Sequence, residues 1–149
     1  MKTYSILEDS PSSILNEANA ATYTSHNGGF TYIDTARLGL TKKNLLTLKK
    51  NTNLDLETLS NLLDINPRTI QRREDDEPFK TSTSEKMLAL ADLYEFGFDV
   101  FEERDRFYQW MNTPILALGQ EKPIAFLDTF YGINEVKNII GRMAYGIPS

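Results

Sequence analysis

A chain of 149 residues, 40% hydrophobic and 25% charged, has ordinary globular composition and is long enough for one fair-sized core or two small ones. It has no cysteine, which excludes thiolate chemistry and cysteine-ligated zinc and agrees with a reducing compartment, and no apolar run nears the roughly 18 residues of a membrane span. With no basic-then-apolar leader either, a cytoplasmic location is expected.

The net charge of −5 is unevenly spread. Residues 1–36 carry one basic residue against four acidic, residues 37–80 nine against seven, and residues 81–149 six against ten. Only the middle third is basic, so only there does a polyanion find an attractive surface. The acidic remainder is expected to serve another partner.

In chain order, residues 1–36 read as an N-terminal arm rich in Ser, Asn, Thr and Ala. Leu7 and Ile14–Leu15 either make one short helix docked on the rest or belong to a mostly mobile arm, and Ser25-His26-Asn27-Gly28-Gly29 reads as a polar loop. Residues 37–80 read as a DNA-binding module. A first helix runs from Thr41 to Lys50 with Leu45 and Leu48 inward, and Lys42, Lys43, Lys49 and Lys50 offer phosphate contacts. Asp55 caps a second helix that ends near Leu63, and a turn of Asp64, Ile65 and Asn66 follows. Asn66 then caps a third helix with Pro67 at its first position, where a missing N–H costs nothing.

Two helices joined by so short a turn read as a helix-turn-helix, with Leu59, Leu63, Ile65 and Ile70 as its apolar seam and Ser60 at the close approach. The start of the second helix of such a unit enters the major groove, so Arg68, Thr69, Gln71 and Arg72 are the expected readers of bases or phosphates, with Arg73 as a phosphate clamp. The alternative is a unit used only for packing, its arginines a solvated face. Asp64 stands where many such turns carry glycine.

Residues 81–149 read as a further helical domain. Four acids and Pro78 end the recognition helix, and Ser82-Thr83-Ser84-Glu85 has the pattern of a capping box. That helix buries Met87, Leu90, Ala91 and Tyr94 and stops at Gly97. Another covers Asp99 to Met111, its Phe107, Trp110 and Met111 read as core. Leu116–Gly119 is a loop, Pro123 opens a short helix, and Ile133, Val136, Ile140 and Met143 line the last one. No strand pair is evident, so the fold class is all-α.

Catalysis is not expected. The single histidine, His26, lies in a polar glycine-containing loop without a carboxylate cluster, Gly119-Gln120-Glu121-Lys122 lacks the first glycine and the hydroxyl of a phosphate-binding loop, and no metal or cofactor is implied. At the chain end, Tyr145-Gly146-Ile147 follows a helix as a compact apolar group. Read from the residues alone, it either plugs a partner's cleft or folds back onto its own core.

Taken together, Leu59–Arg73, Ala91-Asp92-Leu93, Trp110-Met111-Asn112-Thr113-Pro114, Ala117-Leu118-Gly119, Pro123-Ile124, Asp128-Thr129, Gly132, Val136 and Arg142-Met143-Ala144-Tyr145-Gly146-Ile147 resemble the Xre/MbcA/ParS antitoxins over roughly residues 38–149. The chain departs from that pattern at Gln120, where a second glycine is frequent, and at Met111, where leucine is usual. The resemblance implies an Xre-like helix-turn-helix domain followed by a small helical domain for toxin binding and dimerisation. The implied task is to neutralise a RES-domain, NAD-consuming toxin of a type II toxin-antitoxin pair and to repress its own operon. Its implied toxin-binding residues are Arg142, Met143, Tyr145, Gly146 and Ile147, and its partners the toxin, operator DNA and further copies of itself, as a homodimer or a larger assembly with toxin. The rivals are a stand-alone dimeric helix-turn-helix transcriptional regulator and an adaptor that has lost DNA binding.

Overall fold

The computed structural model describes residues 28–146. The short helix expected around Leu7 and Ile14–Leu15, the loop residue His26, and Ile147 lie outside that range. Among the described residues the protein is all-α, with seven α-helices, two 3-10 turns and no strand beyond two isolated bridges. No helix there is long and apolar enough to cross a membrane. The chain divides into two compact units between Asp92 and Leu93, inside one helix.

The first unit contains α1 (Gly28–Leu38), α2 (Lys42–Thr52), α3 (Leu56–Leu63), α4 (Pro67–Arg72) and the first half of α5 (Thr81–Phe101). Helix α1 corrects an expectation, since Gly28 and Gly29 open a helix instead of closing a loop. Buried Thr35 and Ala36 give that helix a packed side, which outweighs the weak helix propensity of its glycines.

The next three helices start where their caps dictate. Thr41 Oγ1 accepts from the Asn44 N–H while Asn44 Oδ1 accepts from the Thr41 N–H, a reciprocal box that satisfies amides at both ends of the first turn. Asp55 accepts from the Thr58 N–H at 2.6 Å, and Asn66 accepts from the Arg68 N–H at 2.8 Å. These caps aim Leu45, Leu48, Leu59, Leu63 and Ile70 into the interior, each worth about 1.5–3 kcal/mol against exposure. Ile65 is only half-buried at the edge of that seam. Asp64 adopts the left-handed conformation, φ 55°, and the Ile65 N–H closes the turn on the Ser60 carbonyl at 2.9 Å. Glycine is common at such turns for that reason, and a short polar side chain is the next best choice.

Past α4 the chain crosses back over the start of α2. Thr41 and Pro78 form an isolated antiparallel bridge, and the Phe79 N–H donates to the Leu40 carbonyl at 2.7 Å. The Leu40 N–H donates to Ser84 Oγ at 2.8 Å, and that buried hydroxyl reaches the Phe79 carbonyl at 3.4 Å. The box expected from Ser82 and Glu85 therefore gives way to a different arrangement. Helix α5 already begins at Thr81, Ser82 sits inside it, and Ser84 ties two chain crossings together.

The second unit holds the rest of α5, α6 (Arg104–Met111), the 3-10 turns Leu116–Leu118 and Pro123–Phe126, and α7 (Phe130–Ala144). Gly97 does not stop α5, contrary to expectation. It lies within the helix, and a Cβ there would come within 2.3 Å of the Phe107 ring. Glycine at this position admits an aromatic ring against the backbone. The break falls instead at Glu102, φ 65°, so the following helix starts at Arg104 and not at Asp99. Phe107 contacts Tyr94, Phe98, Phe101 and Trp110, with ring centroids 5.2–6.2 Å apart, and this aromatic set is the unit's core. The 115–121 segment closes on itself through Ile115 N–H to the Glu121 carbonyl at 3.1 Å and Gln120 N–H to the Ile115 carbonyl at 2.9 Å. Thr129 caps α7 by accepting from the Gly132 N–H at 3.0 Å.

Candidate functional site

Two surfaces carry the residues singled out in the sequence, one in each unit. In the first, the cap at Asn66 and the inward Ile70 fix the rotation of α4, which leaves Arg68, Thr69, Gln71 and Arg72 exposed together. Lys43 is exposed at the start of α2. Two arginines, a threonine and a glutamine on one short helix can bridge phosphates and base edges.

Lys42 and Arg73, expected on that surface, are engaged elsewhere. Lys42 Nζ donates to the carbonyl of Gln71 at 3.0 Å and to that of Arg73 at 3.3 Å. A cation on the last carbonyls of a helix satisfies acceptors that the helix cannot and opposes the negative end of its dipole. The Arg73 guanidinium donates from Nη2 to the Pro78 carbonyl at 2.8 Å, pairs with Glu77 at 3.6 Å, and lies 4.5 Å from the centre of the Phe79 ring. Asn66 spends its side-chain oxygen on the helix cap. Immediately after α4 the exposed acids Glu74, Asp75 and Asp76 line, with Arg73, a shallow depression of about 430 Å³.

In the second unit, α7 buries Ile133, Val136, Ile139 and Ile140 and turns its other side to solvent. Tyr131, Glu135, Asn138, Arg142 and Tyr145 recur at alternating spacings of four and three, a single solvent-facing stripe with an aromatic at each end. Tyr131 is 89% exposed and Tyr145 58%, values that no self-packed aromatic shows. Met143 is exposed as well, and Gly146 turns the chain with φ 68°. Arg142 pairs with Glu135 at 3.8 Å across the surface, a contact weak enough for another carboxylate to displace.

Beside the end of α7 lies an open cleft of about 400 Å³ lined by Phe96, Lys137, Asn138, Gly141, Arg142 and Tyr145. The Lys137 ammonium stands 5.8 Å from the centre of the Phe96 ring. The cleft thus offers apolar walls with cationic edges, suited to an apolar side chain flanked by acid. Arg142 and Tyr145 were singled out from the sequence, whereas Phe96, Lys137, Asn138 and Gly141 were not. The four-three stripe along α7 was the available signal for Asn138. Phe96 belongs to another helix and gave none. No cluster of three or more potential metal ligands occurs among the described residues.

Residues 97–146 match the family model described as the antitoxin Xre/MbcA/ParS C-terminal toxin-binding domain. A Photorhabdus laumondii protein named Antitoxin Xre is 35% identical over 72 residues, which covers 48% of this chain and 49% of that protein. A Yersinia enterocolitica protein of the same name is 32% identical over 78 residues, covering 52% of this chain and 53% of that protein. The chain thus spans about half the length of these curated relatives in the regions that match.

Proposed function

We propose, on the premise that residues 97–146 are an Xre/MbcA/ParS-type antitoxin domain, that the whole protein neutralises a toxin by direct binding and catalyses nothing itself. The toxin is a RES-domain, NAD-consuming enzyme, and the complex forms in the cytoplasm. The single observation behind this reading is the end of α7. Met143 and Tyr145, both within the matched segment, stand in solvent beside a cleft with cationic edges. Large side chains exposed in this way bury apolar area only when a partner arrives, and aromatic anchors commonly dominate such interfaces. The resemblance adds Gly146 and Ile147 to the proposed toxin-binding residues.

The exposed face of α4 supports a second role, repression of the protein's own operon through Arg68, Thr69, Gln71 and Arg72. The basic balance of residues 37–80 against acidic flanks favours it. Self-association as a homodimer, or as a larger complex with toxin, would give two such helices to a palindromic operator.

Co-expression with the product of an adjacent RES-type reading frame tests the main reading. The two chains are expected to co-purify and growth to be restored, and removal of Tyr145 to Ser149 should abolish both effects while the helical circular dichroism persists. Full rescue by the shortened chain would remove the chain end from the mechanism. Sequence-specific DNA binding without any toxin partner would favour a stand-alone regulator.

A further inference from the structure

We infer that Lys42 and Arg73 are positioning residues that clamp the recognition helix, not phosphate contacts. The inference rests on the reading of α4 as a DNA-binding helix. Both residues have the charge and the location that would place them on a DNA surface, yet the structure directs both cations at the protein's own carbonyls.

Lys42 belongs to the first turn of α2 and caps the last turn of α4 through the Gln71 and Arg73 carbonyls. Arg73, the residue just after α4, grips the Pro78 carbonyl, Glu77 and the face of Phe79. Phe79 and Pro78 are in turn bonded to Leu40 and Thr41, which lie directly before Lys42. The connections form a closed circuit from α2 to the end of α4, along the 73–79 turn, and back to the start of α2.

A six-residue helix needs such a circuit. Helix α4 is too short to hold itself, because an isolated helix needs about 12–15 residues to be even marginally stable. Its N-terminus is fixed by Asn66 and its middle by Ile70, and at its C-terminal end these two cations add side-chain ties to the bond from the Arg73 N–H to the Ile70 carbonyl. Base readout demands side chains placed to within fractions of an ångström, whereas non-specific attraction to the backbone demands only charge nearby. Loss of the clamp should therefore reduce discrimination more than attraction.

The test compares Lys42→Met, Lys42→Arg and Arg73→Met with Lys43→Met and Arg72→Ala. Each binds a duplex that the unsubstituted protein selects from a random library, and separately an alternating copolymer, over a range of salt. For Lys42→Met and Arg73→Met, affinity for the selected duplex should fall about tenfold or more. Affinity for the copolymer and the salt slope on it should stay unchanged, and Lys42→Arg should restore the selected-duplex affinity. Lys43→Met and Arg72→Ala should weaken both duplexes and lower the slope by about one.

If Lys42→Met behaves like Lys43→Met, Lys42 touches phosphate and the inference is overturned. Equal loss on both DNAs with an unchanged slope and a lower thermal midpoint marks a merely structural role and also overturns it. If the unsubstituted protein selects no duplex, the DNA reading fails on its own account. The clamp is then still read by hydrogen exchange, where Lys42→Met should speed exchange at the Ile70 and Arg73 amides without affecting those of α2.

Discussion

Gln120 shows how one residue can carry a cost in an otherwise relaxed turn. Gly119 and Gln120 both lie in the left-handed region, φ 65° and 67°, where a side chain costs about 1–2 kcal/mol that glycine avoids. Gln120→Gly should therefore raise the unfolding free energy by up to about 1 kcal/mol after its own entropic cost, and Gln120→Val should lower it. The reverse order in a urea titration would contradict the strain. The backbone thus supplies a conformational reason for the glycine expected at this position, and Gln120 departs from it at a cost. Gly97 makes the complementary point, because its glycine suggested a helix end while its actual role is to admit the Phe107 ring from the next helix. One glycine signal has several physical causes, and neighbouring residues do not tell them apart.

At the scale of elements, what was legible was local. Helices α3 and α4 could be read because Asp55 and Asn66–Pro67 cap them with side chains only two or three residues away, and α2 because Leu45 and Leu48 keep helical spacing. The tie from Leu40 to Ser84 and the engagement of Arg73 with Pro78 and Phe79 were not foreseen, because they follow from how the chain passes back over the start of α2. The cleft beside α7 was half legible, since the resemblance to the antitoxins implied Arg142 and Tyr145, whereas Phe96, on another helix, was not among its residues. Helix α4 itself yields a prediction. Arg68→Ala combined with Arg72→Ala removes two exposed cations and no buried area, so the thermal midpoint should move little while operator binding is lost at moderate salt. A gel shift that survives the double substitution would take α4 out of the DNA interface.

For the whole molecule, alkaline pH probes whether the aromatic core stays closed. Burial pushes the Tyr94 phenol far above its usual range, and burial raises Tyr108 less strongly. A phenol whose pKa is higher in the folded state holds its proton more tightly there, so the stability it contributes is complete below the unfolded value of about 10 and is lost as pH rises beyond it. The thermal midpoint should decline above about pH 10, and Tyr94→Phe should flatten the decline; a midpoint independent of pH up to about 11 would show that the phenol is not buried in solution.

The acids that follow α4 have one more effect. Glu74, Asp75 and Asp76 are exposed directly beyond a helix whose own surface is cationic, so the sign of charge reverses within a few residues. In the proposed complex with DNA, phosphates drawn to Arg68 and Arg72 would be repelled just past the end of the same helix. The acids thereby bound the cationic surface to the length of the helix itself, so that a polyanion lying on α4 would be held there and kept off the chain beyond it.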